Sequence, residues 1–358
     1  MTTVSVLIPC LQEIGFIRPC LDSVLQFEVP EKASLAEILV IDGGSTDGTR
    51  EVVAEYAARD PRVKLIDNPG RIQSTGLNIA LREATGDYIV RLDAHSSYPQ
   101  NYLTLLLETS LRTGADNVGG LFVTQRRHAG YQASVVQALT THKFGVGDAG
   151  YRTGAAEGPA DTVPYGCFRR ELFARIGPFD ERLVRAQDYE INRRIVESGG
   201  RVWRNPAIHV MYYPQPDLRS FVRKQVGLEA PYNAYLWYLA PYAFALRHAI
   251  TGIFAFGVIA GIVLSPFSRI IRIAFSAVMV LYFTLAILAA VQQAIRYREP
   301  RHVAVLPFMF FMYHFTHGLG LLAGLLRLAT GTAPVQKARE PWPGAGRFRA
   351  WPIRQPAA

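Results

Sequence analysis

The stretch Tyr88-Ile89-Val90-Arg91-Leu92-Asp93-Ala94-His95 decides how the rest of the chain is read. Tyr88 to Leu92 is a short apolar run with a β-branched core, the pattern of a buried strand. It delivers a carboxylate, Asp93, and an imidazole, His95, to the loop Ser96-Ser97-Tyr98-Pro99. In an open parallel α/β sheet, ligands bind beyond the carboxyl ends of the strands. A hard divalent cation carrying nucleotide phosphates takes one or two protein ligands at such a place. Asp-x-His alone also fits a plain strand-end turn, so its meaning depends on its neighbours.

Upstream, the pattern alternates. Val4 to Ile8 reads as a strand closed by Pro9-Cys10-Leu11-Gln12-Glu13, and residues 14–27 carry a helical pattern. Ile38 to Ile41 reads as a second strand ending at Asp42, followed by the turn-rich Gly43-Gly44-Ser45-Thr46-Asp47-Gly48-Thr49 and a helix over 49–58. Val63 to Ile66 is a third strand, and Gly70 to Thr75 leads into a helix through Leu77, Ala80 and Leu81. This order predicts a parallel sheet with helices on both faces. The glycines follow the second strand and lack the GxGxxG spacing, which argues against a dinucleotide-binding oxidoreductase. Asp42 is placed to accept hydrogen bonds from a nucleotide base or ribose; its alternative is an Asx-type turn.

The totals set the class. At 358 residues two parts are expected. Charged residues make up 19% and hydrophobic ones 49%, with the apolar excess concentrated after about residue 235. The net charge of +9 comes without a basic stripe interleaved with aromatics, so nucleic acid is not expected as a partner; a membrane surface or an anionic substrate is. Cys10, Cys20 and Cys167 form no CxxC pair and are expected as reduced thiols. Val4 to Ile8 is too short for a signal-peptide core, so the first domain is expected to stay on the side where it is made.

Three segments then carry a resemblance: Val-Ser-Val-Leu-Ile-Pro at 4–9, Val-Ile-Asp-Gly-Gly-Ser-Thr-Asp-Gly-Thr at 40–49 and Gly-Asp-Tyr-Ile-Val-Arg-Leu-Asp-Ala-His at 86–95. Phe168-Arg169-Arg170, Gly177-Pro178-Phe179-Asp180-Glu181 and Gln187-Asp188-Tyr189-Glu190 extend it. In this order they resemble the family 2 glycosyltransferases of GT-A fold, over roughly residues 4–230. The Arg-Leu-Asp-Ala-His form is similar to the succinoglycan-type (ExoA-like) subgroup. The resemblance implies that Asp42 holds the nucleotide base with Pro9, Glu13 and Gly44 lining the pocket, and that Arg71 faces the nucleotide or its phosphates. It implies that Asp93 binds Mn²⁺ or Mg²⁺. His95 stands where the family's Asp-x-Asp ends, and imidazole ligates Mn²⁺ more readily than Mg²⁺.

Asp188 is the candidate catalytic base, chiefly by the resemblance. It opens a helical pattern (Ile191, Ile195, Val196) that stops at Gly199-Gly200, and an N-cap role fits the same spacing. A helix N-terminus keeps a carboxylate ionised, as a base requires. Arg185, Gln187 and Glu190 are candidate donor or acceptor contacts, Glu190 also a fallback base; Gln187 replaces the first member of the family's acid pair. The glycine-rich residues 144–166 are read as a mobile segment near the donor or acceptor.

The expected domains are a GT-A catalytic domain over 1–215, an interfacial amphipathic and aromatic segment over 216–240, and transmembrane helices within 241–328. A basic tail over 329–358 completes the chain. Leu218, Phe221, Val222 and Val226 line one side of a helix that either lies in the membrane interface or packs on the domain as an ordinary amphipathic helix, and Tyr232, Tyr235, Trp237, Tyr238 and Tyr242 form an aromatic cluster of the kind found in membrane–water belts. Three apolar stretches, about 244–264, 273–293 and 303–326, each approach the roughly 20 residues a spanning helix needs. His314 and His317 are expected either to hydrogen-bond neighbouring helices or to handle a lipid acceptor. Three spans put the tail opposite the catalytic domain, yet Lys337, Arg339, Arg347, Arg349 and Arg354 favour the cytoplasm.

The function expected is inverting, metal-dependent transfer from a nucleotide sugar, UDP-glucose by preference, to a polyprenyl-diphosphate-linked saccharide. The setting is cell-surface polysaccharide synthesis at a bacterial cytoplasmic membrane, with the catalytic domain on the cytoplasmic side. One rival is a processive synthase of the cellulose or hyaluronan type, whose Gln-x-x-Arg-Trp is replaced by Arg-Lys-Gln-Val-Gly-Leu at 223–228. The other is a non-catalytic nucleotide-sensing membrane protein.

Overall fold

The computed structural model describes residues 1–336; the basic residues from Lys337 onward lie outside the described residues. The chain begins β1 (Thr2–Cys10), α1 (Ile17–Leu25), β2 (Ala33–Asp42), α2 (Thr49–Arg59), β3 (Val63–Asp67), α3 (Gln73–Glu83), β4 (Tyr88–Arg91), α4 (Tyr102–Thr113) and β5 (Asn117–Thr124). It continues with α5 (Tyr131–Thr140), α6 (Lys143–Val146), α7 (Gly150–Thr153), β6 (Gly158–Pro159), β7 (Cys167–Arg169), α8 (Leu172–Ile176), α9 (Gln187–Glu197) and β8 (Val202–Tyr212). Then come α10 (Leu218–Lys224), a π-helical turn (Gln225–Glu229), α11 (Ala230–Leu239), α12 (Leu246–Leu264), α13 (Arg269–Tyr297) and α14 (His302–Ala329).

Two compact units result. Among the described residues, the first comprises Met1–Val123 and Gly154–Tyr212, and the second comprises Thr124–Thr153 and the chain from Tyr213 onward. The first unit is therefore not the continuous stretch 1–215: a thirty-residue excursion leaves it and joins the second.

The sheet of the first unit has the order β3-β2-β1-β4-β7-β5-β8-β6. β3, β2, β1 and β4 are mutually parallel, as the alternating pattern requires, but β7 runs antiparallel to both β4 and β5. The sheet is thus mixed rather than wholly parallel. Because successive side chains of a strand point to opposite faces, each central strand feeds two cores. Val4, Val6 and Ile8 of β1 pack on one face with Ile17, Leu21, Val53 and Leu106, and Leu7 packs on the other with Leu77, Leu172, Phe173 and Ile191. Helices on both faces bury the central strands β1 and β4 and leave the strand ends as the accessible edge. The carboxyl ends of β1, β2 and β4 coincide there, with Cys10 opposite Asp42 and Leu7 opposite Arg91.

The second unit holds, among the described residues, three helices long and apolar enough to cross a membrane, within Leu246–Leu264, Arg269–Tyr297 and His302–Gln336. They pack through small residues, as helices without a hydrophobic driving force between them do. A Cβ on Gly318 of α14 would lie 2.1 Å from the carbonyl oxygen of Thr251 on α12. Polar side chains reinforce the crossings: His314 bonds Tyr282 of α13 at 2.7 Å and His317 bonds Thr251 at 2.9 Å. These are the interhelical hydrogen bonds weighed above. The aromatic stretch departs from a belt, because Tyr235 is buried within this unit and Tyr238 alone of the α11 tyrosines is strongly exposed.

The expected mobile segment is also packed over its first part. Phe144 lies against Tyr282, Phe310 and His314, while Val135, Val136 and Leu139 of α5 share a core with Phe221, Ala289, Ala290, Leu306 and Phe310. Gly318→Leu should force α12 and α14 apart at a cost of about 1–3 kcal/mol. Thermal unfolding of the detergent-solubilised protein should show a lower midpoint for it. Gly257→Leu, where a side chain meets nothing within 4 Å, should leave the midpoint unchanged.

Candidate active site

The accessible edge of the first unit collects most of the residues singled out in the sequence. Asp42, at the end of β2, is fully buried. Its Oδ2 accepts the backbone amides of Gly44 and Ser45, both at 2.9 Å, and Oδ1 accepts the Ser45 hydroxyl. Arg50 adds an ion pair at 2.8 Å and bridges to Asp67. Asp42 therefore closes an Asx-type turn, and direct contact with a base would require one of these bonds to be given up. Gly44, at φ +83°, supplies the left-handed residue the turn needs. The loop is stitched to the chain after β1: Ser45 and Thr46 bond Gln12, and Thr49 accepts the Glu13 amide.

Burial opposes ionisation of Asp42, but the hydrogen bonds from Ser45, Arg50 and Gly44 outweigh it and hold the pKa below the ordinary carboxylate range. A depressed carboxylate stabilises the fold at all pH above its unfolded value, about 4, and loses that contribution as pH falls through the folded one. Arg71 sits at the mouth of the same edge, exposed, with φ +59°.

The second cluster is organised by a residue that had been read only as part of a strand. Arg91, at the end of β4, is 1% exposed and lies 4.9 Å from the ring centroid of Tyr165. Its Nη2 donates to Asp93 Oδ1 at 2.7 Å, and its Nη1 stands 2.9 Å from Asp188 Oδ2. The guanidinium thus bridges the candidate metal ligand and the candidate base. Burial disfavours its charge, but Asp188 and Asp93 more than compensate and raise its pKa further. Gln73, in the first turn of α3, also donates to Asp93 Oδ1 at 2.9 Å and accepts a hydrogen bond from Gln187 at the start of α9. Tyr98 fixes the backbone of Asp93 at both its amide and its carbonyl.

His95 turns its Nδ1 to Glu13 Oε1 at 3.1 Å and its Nε2 toward Asp93 Oδ2 at 3.8 Å. A carboxylate on one ring nitrogen with the other facing a candidate site is the usual support of a metal-binding histidine. Among the described residues no group of three or more His, Cys, Asp or Glu side chains is arranged to hold an ion. Asp93 and His95 therefore fit an ion completed by substrate oxygens, the habit of nucleotide-borne Mg²⁺ and Mn²⁺.

Asp188 is the second residue of α9, behind Ala186 at the N-cap, so it is not the cap itself. The helix is fixed from below. Arg194 is fully buried against Glu190 and donates to the carbonyls of Ile176 and Pro178. Glu190 is 1% exposed in that ion pair, which corrects its assignment as an acceptor contact or spare base: its carboxylate holds the helix in place. Gln187 is buried on Gln73 and Arg185 is half-buried. Four non-glycine residues in the left-handed region flank this edge: Gln12, Arg71, Tyr165 and Ala186, with φ from +59° to +66°. Each costs of order 1–3 kcal/mol, and such strain clusters at functional sites.

A mixed sheet of this order, parallel through β3, β2, β1 and β4 and antiparallel at β7, is the GT-A fold. Residues 5–177, just under half of the chain, match the model of Glycosyl transferase family 2. The succinoglycan biosynthesis protein ExoA of Rhizobium meliloti is 36% identical over 223 residues, 61% of this chain and 65% of that relative's length. The chain thus spans just under two thirds of that relative. A dolichyl N-acetyl-α-D-glucosaminyl phosphate 3-β-D-2,3-diacetamido-2,3-dideoxy-β-D-glucuronosyltransferase of Methanococcus voltae is 24% identical over 91% of this chain and 98% of its own. A mannosyltransferase from Pyrobaculum calidifontis, solved with GDP-Man and Mn²⁺, shares the fold with TM-score 0.52 at 20% identity, over 90% of this chain and 86% of that one.

Asp42→Asn removes the charge but little volume. Its thermal midpoint should fall below that of the wild type at pH 7. That deficit should narrow as pH drops below about 4, when thermal unfolding of the two proteins is compared across a pH series.

Proposed function

We propose that the chain is a membrane-anchored inverting glycosyltransferase that moves a sugar from a nucleotide sugar, UDP-glucose by preference, to a lipid-linked saccharide. The setting is cell-surface polysaccharide synthesis at a bacterial cytoplasmic membrane. The observation that carries this reading is the guanidinium of Arg91 holding Asp93 and Asp188 at one strand edge. The names of the succinoglycan and dolichyl-phosphate relatives support a saccharide-building role and a lipid-borne acceptor.

In this reading the nucleotide lies over the edge formed by Pro9, Glu13, the loop held by Asp42 and the backbone of Gly44, with Arg71 at its mouth. Asp93 and His95 would hold Mn²⁺ or Mg²⁺, which, when bound, supplies Lewis-acid stabilisation of the departing diphosphate. Asp188 accepts the proton of the acceptor hydroxyl as that oxygen attacks the anomeric carbon. The bond to the diphosphate oxygen breaks on the opposite side, so a single displacement inverts the centre. A general base contributes about 10²- to 10⁴-fold. Arg185 and Gln187 flank the base on the acceptor side. The second unit provides the membrane anchor.

The test is a donor panel on solubilised protein, with Mn²⁺, Mg²⁺ or chelator, reading nucleoside diphosphate release and donor binding. One nucleotide sugar should be turned over, with loss on chelation. Asp188→Asn should bind that donor with unchanged affinity and lose about 10²-fold or more in transfer. Undiminished transfer by Asp188→Asn would remove the base assignment; no binding of any nucleotide sugar by folded protein would favour the sensing alternative.

A further inference from the structure

We infer that Arg91 is a positioning residue for the transfer reaction, one that fixes the separation of Asp93 and Asp188 and reserves the cation site for Asp93 by occupying Asp188. The inference rests on the proposed function for the roles of those two carboxylates, and on its own geometry for the rest.

An arginine at the end of a central strand, 1% exposed, is costly to bury and persists only with its charge compensated. Here the compensation comes from two acids on different elements. Asp93 follows β4 directly, and Asp188 arrives on α9 from almost a hundred residues away. The guanidinium is planar and its two Nη atoms are a fixed distance apart, so it acts as a spacer as well as a counter-charge. Tyr165 stacks on its face, itself held by a hydrogen bond of 2.9 Å to Ser96. Gln73 and Gln187 make a second, neutral link between the same two places.

The charge balance gives the functional content. Two carboxylates brought to one edge without a cation between them repel, or capture a divalent ion as a pair. Arg91 gives both carboxylates a permanent cation, and Asp93 has its second oxygen turned to His95. Asp93 with His95 would therefore hold a divalent ion, leaving Asp188 to the acceptor hydroxyl. Lysine retains the charge but not the two-pronged geometry; methionine retains bulk and neither.

The experiment compares wild type, Arg91→Lys, Arg91→Met, Asp188→Asn and the double variant Arg91→Met/Asp188→Asn in detergent. It reads Mn²⁺ binding without nucleotide, donor binding, kcat and KM. Arg91→Met should bind Mn²⁺ at least 10-fold more tightly than wild type while kcat falls at least 100-fold and donor affinity changes little. Arg91→Lys should recover part of kcat. The double variant, which removes Arg91 together with one of its two acids, should be no slower than Asp188→Asn alone, because the two residues act as one unit. Weaker Mn²⁺ and donor binding in parallel, with multiplicative losses in the double variant, would reduce Arg91 to a structural role and overturn the inference. Wild-type kcat in Arg91→Met would do the same. If instead Asp188→Asn transfers at the wild-type rate while Arg91→Met still tightens Mn²⁺ binding, the base assignment falls and the reserving role of Arg91 stands.

Discussion

A positive charge without access to water sits at the end of β4, and much of the accessible strand edge is arranged to tolerate it. Arg91 is buried between the sheet and Tyr165, and only the two carboxylates it touches make that position affordable. The compensation works in both directions. Asp93 and Asp188 belong to segments almost a hundred residues apart, and the guanidinium, with the Gln73–Gln187 link beside it, gives each a fixed address. Around it the chain accepts strained backbone at Tyr165 and Ala186. The buried Arg194–Glu190 pair in turn locks α9 to the carbonyls after α8. A buried ion pair is weak evidence for stability in general. Here a pair of them determines where the chemistry-bearing groups stand.

Much of this fold was readable in advance because its elements follow simple periodicity. The parallel half of the sheet came from short apolar strands separated by amphipathic helices, and each of its predicted strands exists within a few residues. The shortest strands of the antiparallel half were not readable. β7 is only three residues long and β6 two, so neither carries enough pattern to announce itself, and their pairing depends on contacts distant in sequence. The candidate site divides in the same way. Asp93, His95 and Asp188 were proposed by motif, and the fold brings them to one edge, but Arg91 was passed over as a strand residue. Its signal was present: an arginine inside Tyr-Ile-Val-Arg-Leu contradicts the burial that the rest of the run requires, and a buried charge implies partners. Glu190 shows the converse error. Its spacing from Arg194 on α9 is the ordinary geometry of an intrahelical pair, and that pairing takes it out of the site.

Asp42 belongs to both readings. Its carboxylate shapes the loop after β2 through hydrogen bonds from Gly44, Ser45 and Arg50, so it acts through the backbone it positions. The helical unit follows the same logic in an apolar setting. Glycines set the distances between α12, α14 and the turn before α11, and histidines spend their hydrogen bonds on neighbouring helices rather than on solvent.

The excursion Thr124–Thr153 has a consequence for how the protein is made. Its helix α5 buries Val135, Val136 and Leu139 against residues of α13 and α14 that leave the ribosome about 150 positions later. A domain whose chain is complete by Tyr212 would ordinarily fold as synthesis proceeds. This one emerges with a greasy flap whose partners do not yet exist. The order of translation therefore delays completion of the fold until the last apolar helix is in place. A fragment ended after the sheet would carry that flap permanently bare, a magnet for aggregation rather than a soluble enzyme.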